Sequence, residues 1–378
     1  MEFLWQGFLS VTWQQIVMYV VGAALIWLAI KKQYEPALLL PMGFGAILIN
    51  LPGANAVDQM IAGKIETNGI VQWLYEVGIE ASEALPILLF IGIGAMIDFE
   101  PLLAKPIMFL FGAAAQFGIF AALLIAVLCG FELNDAASIG IIGAADGPTS
   151  LLVSQVLDSN YIGAIAVAAY SYMALVPIVQ PLAIKLVTTK KERCMKMEYK
   201  PGSVSKRTKI LFPIVVTIIV GFIAPSSASL VGFLMFGNLI RECGVLQNLS
   251  EAAQGPLTNL ITLLLGITIS FSMSAEAFVR WDTLLVMGIG LAAFVFDTIG
   301  GVLFAKFLNL FMKKKINPMV GAAGISAFPM ASRVVQKMAQ EENPGNIIIM
   351  QAAGANVAGQ ISSAIAGGLI IQLVAQMM

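Results

Sequence analysis

The chain contains no histidine. That removes a common metal ligand and the one side chain that ordinarily titrates near neutral pH, leaving proton chemistry to carboxylates, Tyr, Lys or Arg. A zinc or haem enzyme is not expected. Cysteine is scarce: Cys129, Cys194 and Cys243 stand far apart, with no CxxC pair and no disulfide framework. Charge is thin as well. Charged residues make up 11% of the 378, against roughly 25% in a soluble domain. The formal net charge of −1 offers nothing to a nucleic acid. Apolar residues fill the space, at 59% of the chain with a mean hydropathy of +0.89. This is the composition of an integral membrane protein.

A helix needs about 20 apolar residues to cross a bilayer. Stretches near that length recur from Thr12–Ile30 to Asn346–Gln372, and residues 53–84 form a mixed interruption, expected to be extramembrane or interfacial. No basic n-region precedes Thr12–Ile30, so it reads as a retained span rather than a cleaved signal. Lys31-Lys32, the run from Lys185 to Lys209 and Lys313-Lys314-Lys315 belong in the cytoplasm by the positive-inside rule. If 136–157 crossed completely, the following span would end outside, against the most basic loop of the chain. Residues 136–157 are therefore expected to enter from outside and turn back at Asp146-Gly147-Pro148. Residues 318–338 are expected to dip in from the cytoplasm. Two re-entrant segments of opposite sense mark an inverted repeat. The expected fold is an all-α polytopic membrane protein with two inverted-topology repeats, each with a broken re-entrant segment. Residues 1–187 form the first repeat, 188–209 a basic cytoplasmic linker and 210–378 the second repeat.

Asp146 is the most informative residue, an acid inside Ile139–Val153. A carboxylate at membrane depth costs roughly 2.5–3.5 kcal/mol on insertion scales and usually marks an ion pathway. Pro148 lacks an N–H and cannot continue a helix from the preceding turn. Broken backbone at that depth is tolerated where it is buried in protein or lines a cavity. Acid plus break suggests a monovalent-cation site, with Thr149, Ser150, loop carbonyls and Ser326 as oxygen donors.

Other candidates in apolar surroundings are the polar residues Tyr172, Asn317, Asn356 and Asp297, the last readable as ion ligand or structural acid, and Gly321, which offers an open backbone. Arg333 and Lys337 could meet an anion or merely snorkel. Met195-Lys196-Met197 copies the tripeptide around biotinyl lysines. Biotin attachment needs a small folded β domain around that lysine, which the linker cannot supply, so no biotin is expected on this chain.

Four blocks are familiar: Gly143–Ser150 (Gly-Ala-Ala-Asp-Gly-Pro-Thr-Ser), Ser171–Pro177, Lys315–Arg333 and Gly354–Ile361 (Gly-Ala-Asn-Val-Ala-Gly-Gln-Ile). In order and spacing they resemble the β subunit of sodium-pumping biotin-dependent decarboxylases, which serve oxaloacetate, methylmalonyl-CoA and glutaconyl-CoA. The resemblance runs over nearly the whole chain. It implies a subunit that decarboxylates carboxybiotin, consumes a proton and exports Na+. It implies as partners a carboxyltransferase α subunit, a biotin carrier subunit and a small membrane subunit, in an oligomer in the inner (cytoplasmic) membrane of a prokaryote.

Matched block by block, the resemblance implicates Asp146, Asn317, Gly321, Ser326 and Asn356 in Na+ binding. It implicates Asp146, Tyr172 and Arg333 in the chemistry, with Arg333 at the carboxybiotin. The short chain leans toward the acyl-CoA branch. A stand-alone sodium-coupled secondary transporter or Na+/H+ antiporter on the same scaffold would account for Asp146 and the breaks, but not for the full set of blocks.

Overall fold

A computed structural model describes residues 10–33, 35–54, 56–61, 64–81, 84–197 and 204–377. The chain is helical almost throughout. Among the described residues, the exception is an antiparallel hairpin, β1 (Asp58–Ile61) and β2 (Lys64–Asn68), with Asp58 opposite Asn68. It lies in the mixed stretch expected outside the membrane.

The first half carries α1 (Trp13–Trp27), α2 (Pro36–Ile49), α3 (Ala84–Met96), α4 (Met108–Ala114), α5 (Phe117–Leu128), α6 (Leu133–Gly140), α7 (Gly147–Val156) and α8 (Ile162–Val187). The second carries α9 (Lys206–Ile223), α10 (Ala228–Cys243), α11 (Thr258–Ser270), α12 (Trp281–Phe311), α13 (Met319–Ala322), α14 (Met330–Glu342) and α15 (Ile349–Met377). Local signals set several boundaries. Thr12 and Gln15 form a reciprocal capping box that starts α1, and Ser205 accepts the Thr208 N–H to start α9. That start falls inside the stretch expected to be linker.

Five described stretches are long and apolar enough to cross a bilayer: Trp13–Lys32, Met108–Leu128, Gln247–Met273, Trp281–Phe311 and Ile349–Met377. Two bent pairs raise the number to seven. One of them is α8, bent by 72° between Met173 and Leu175. Pro177 is the cause, since it removes the hydrogen bond to the carbonyl four residues earlier, that of Met173. This is a multi-pass membrane protein.

Several packing pairs recur in reciprocal form between the two halves of the chain. Helix α1 packs on α2 as α9 packs on α10, and α2 meets α11 as α10 meets α3. Helix α8 lies against α12 and α14, while α15 lies against α4 and α7. Close backbone approach makes the α3–α10 seam: a Cβ on Gly94 would strike the Leu234 carbonyl, and one on Gly237 the Ile91 carbonyl. Small residues at such seams let dispersion and backbone contacts replace the hydrophobic drive that lipid lacks.

The two broken segments are hairpins. In the first, α6 passes through a 3-10 turn at Ile141–Ala144 and a left-handed Ala145 (φ 53°) before α7 leaves from Asp146. Its ends meet. Asn134 Nδ2 donates to Leu157 O at 3.3 Å, and Asp135 Oδ1 accepts from Ser159 Oγ at 2.7 Å and Asn160 N at 2.9 Å. In the second, α13 ends at Ala322, an irregular tip follows, and α14 returns.

Candidate functional site

The two tips meet in the interior. The Ser326 N–H donates to Ala144 O at 3.0 Å, joining the turn before Asp146 to the break in the second segment. Helix α15 runs alongside and supplies polar groups from one face, at spacings of four and three residues. Asn356 Nδ2 donates to Ile325 O at 2.7 Å, Gln360 Nε2 donates to Ser326 O, and Ser326 Oγ donates to Gly359 O at 2.9 Å. One turn on, Ser363 Oγ donates to Asp146 Oδ2 at 2.7 Å.

Asp146 caps α7. Its Oδ1 accepts the Thr149 N–H at 3.4 Å and its Oδ2 the Thr149 hydroxyl at 2.8 Å. The residue is 3% exposed, and no Lys or Arg pairs with it among the described residues. A buried carboxylate without a cationic partner is costly unless a proton or a metal ion compensates it. Hydrogen bonds from Ser363, Thr149 and the α7 N-terminus hold its oxygens in place and meet part of that cost. Two more oxygens in the same layer, Asn356 Oδ1 and Gln360 Oε1, are buried and have no hydrogen-bond donor among the described residues. Carboxylate, amide and carbonyl oxygens form a hard donor set, suited to an alkali or alkaline-earth cation rather than a soft metal.

The structure thus brings Asp146, Ser326 and Asn356 together. It does the opposite with Asn317, whose amide donates to Arg193 O and Met195 O of the linker at 3.0 and 2.9 Å. Gly321 lies at a helix crossing, where a Cβ would collide with the Gly301 carbonyl of α12. Tyr172 donates its hydroxyl to Met287 O of α12 at 2.5 Å, tying α8 to α12. The tyrosine beside the break is Tyr170, whose ring occupies the space a Cβ on Gly147 would need.

Arg333 is exposed on α14. It acts electrostatically on Glu35, in the turn before α2: burial pushes the Glu35 carboxyl up from the ordinary range, and the Arg333 guanidinium pulls it partly back. Asp297 is fully buried, with Oδ1 accepting the Gly118 N–H at the start of α5 and Oδ2 unpartnered among the described residues.

Sequence reading passed over Ser363, Gln360 and Tyr170. Ser363 and Gln360 carried a signal, because they share a helix face with Asn356 at seven and four residues' distance. Tyr170 carried none, as its neighbour is fixed only by the fold.

Comparison with known proteins converges on one family. A family model described as Na+-transporting oxaloacetate decarboxylase beta subunit matches residues 14–374. The chain is 46% identical to the methylmalonyl-CoA decarboxylase subunit beta of Propionigenium modestum, over 97% of this chain and 96% of that one. It is 46% identical to the glutaconyl-CoA decarboxylase subunit beta of Acidaminococcus fermentans (97% and 95% covered). Identity to the oxaloacetate decarboxylase beta chain 2 of Salmonella typhi is 43%, with 96% of each covered. With Asp146 and its oxygen donors inside the matched stretch, the chain belongs to the family of beta subunits of Na+-transporting decarboxylases.

Proposed function

We propose that this chain is the membrane subunit at which decarboxylation of carboxybiotin drives Na+ out of the cell. The observation that carries the reading is Asp146, a buried carboxylate with no Lys or Arg paired to it among the described residues, where two broken segments meet. Na+ as cargo is held by Asp146 with oxygens of Ser326, Asn356 and Gln360, while Thr149 and Ser363 fix the carboxylate. Asn317 and Gly321 stand outside this group. The reciprocal packing of the two halves supports a pair of inverted repeats, 1–187 and 210–378, joined by the basic linker. In such repeats a central site opens alternately to either face as one part rocks against the other.

Export needs an energy source, because moving one charge against 100 mV costs about 2.3 kcal/mol. Carboxybiotin, delivered by a separate carrier subunit, is the anionic substrate. Its N–C bond breaks, CO2 leaves, and the nitrogen takes up one proton. Arg333, exposed and within electrostatic reach of the half-buried Glu35, holds that anion on the cytoplasmic side in this reading. A proton on Asp146 neutralises the carboxylate and weakens its hold on Na+, which couples proton uptake to ion release. Tyr172 serves as a brace between α8 and α12 rather than as a proton carrier.

A carboxyltransferase α subunit and a small membrane subunit complete the complex, in the inner membrane of a prokaryote. The relatives' roles favour the pump over a stand-alone transporter. Alignment to the glutaconyl-CoA relative runs over 368 residues and to the oxaloacetate relative over 416, which favours the acyl-CoA branch. The test is Na+-dependent decarboxylation of free carboxybiotin by membranes carrying the chain, beside Asp146→Asn. Sodium-stimulated turnover abolished by the substitution is expected. Turnover that is intact in the variant would remove Asp146 from the mechanism.

A further inference from the structure

Two asparagines stand at the two ends of the second broken segment, Asn317 just before α13 and Asn346 just after α14. Both are fully buried. Asn317 Nδ2 donates to Arg193 O and Met195 O at 3.0 and 2.9 Å, and Asn346 Nδ2 donates to the same two carbonyls at 3.2 and 3.1 Å. An amide NH2 has two hydrogens and a carbonyl two lone pairs, so the four bonds use the full capacity of all four groups. Met197 Sδ also accepts the Asn317 N–H at 3.4 Å. Ion pairs flank the ring: Arg193 Nε to Glu342 at 2.7 Å, at the end of α14, and Glu192 to Lys306 of α12 at 3.0 Å. The first segment closes by direct bonds between its ends. The second closes through an irregular segment contributed by the linker.

We propose that Asn346 is a positioning residue of the pump, and that Asn317 acts with it on the linker segment Arg193–Met197 rather than on the ion. The pair clamps the cytoplasmic base of the second segment. Helix α14, the returning arm of that segment, carries Arg333, so slack at the base displaces the group proposed to hold carboxybiotin. The tip contacts of Ser326 with Ala144 and Gln360 keep the ion's oxygens in place. Small misplacements at a reacting centre cost far more rate than the bonds that prevent them.

Cys194 sits inside the clamped segment, half-buried, with Sγ 3.8 Å from Glu342 O. It is a native reporter. In the assembled complex in membranes, with Cys129 and Cys243 replaced by serine, its alkylation by N-ethylmaleimide follows the clamp, and Na+-dependent decarboxylation follows its consequence. Asn317→Asp keeps the oxygen that accepts the Met319 N–H at 3.0 Å while removing both donors. Asn346→Ala and Asn317→Asp should each raise the alkylation rate and lower kcat about tenfold, equivalent to roughly 1.4 kcal/mol. The half-saturating Na+ concentration should stay within about twofold, and the double variant should be no worse than either single one, because both cut the same ring.

Wild-type alkylation in Asn346→Ala would overturn the proposal. So would a raised Na+ requirement in Asn317→Asp with Cys194 still protected, which would return Asn317 to the ion. Should Asn346→Ala fail to assemble, Met197→Ala removes the sulfur contact alone. A smaller but measurable rise in alkylation supports the clamp, and no rise refutes it. The kcat arm rests on the proposed pump activity, whereas alkylation does not, so failure of one is separable from failure of the other.

Discussion

Replacing Ser363 by alanine tests the site where structure and sequence reading part. The serine hydroxyl donates to Asp146 Oδ2 at 2.7 Å, and the residue is fully buried on α15. Alanine keeps the helix and removes one oxygen. A hydrogen bond to a charged group is worth about 1.5–3 kcal/mol, and its loss favours the protonated acid. Since each 1.4 kcal/mol is a factor of ten, proton competition should weaken apparent Na+ binding by about ten- to a hundredfold at pH values where Asp146 is protonated. Thr149 Oγ1 still holds the same Oδ2 at 2.8 Å, which argues for the lower end. The assay is decarboxylation rate against Na+ concentration at several pH values. Half-saturating Na+ should rise about tenfold while kcat at saturating Na+ stays near wild type. The deficit should grow as pH falls, because the proton competes for the oxygens that hold Na+. Half-saturation within about twofold of wild type at every pH would refute the assignment of Asp146 and its partners to the ion.

Asp297 is expected to be structural: Asp297→Ala leaves the Gly118 N–H without its acceptor and should lower stability by about 1–3 kcal/mol. Thermal unfolding in detergent checks it, with Asp297→Asn, which keeps an acceptor oxygen, expected nearer wild type. The Glu35 carboxyl is raised on folding, chiefly by burial. The folded protein therefore holds that proton at pH values where the unfolded chain has released it, and stability falls as pH rises from the ordinary glutamate range through the folded value. Glu35→Gln should flatten that slope in unfolding curves taken from acid to neutral pH.

Asp146 was legible because its charge in an apolar run coincides with Pro148, which breaks the helix whatever surrounds it, whereas Asp297, an acid in a similar run without a break, was left open. The hairpin form of the first segment was legible from loop charge, and the bonds joining Asn134 and Asp135 to residues 157–160 agree with it. Asn317 was grouped with Asp146 by residue type and family resemblance. Its real partners lie 124 and 122 residues away in the linker, a pairing that no local pattern announces. The bend in α8 was within reach, since Pro177 and Pro181 both lie inside the span. Its 72° size depends on what packs against it.

Composition and charge order alone determined that this chain lives in a bilayer, which loops are basic, and where a carboxylate interrupts the apolar background. These are properties of transfer from water to hydrocarbon, which each segment pays residue by residue. Which oxygens surround Asp146 was decided by the tertiary structure. Ser363 lies 217 residues from Asp146, and the tip contact joins Ser326 to Ala144. Such contacts arise because backbone groups freed at a break have no water to turn to, so each break is satisfied by whatever the other half of the fold carries to it.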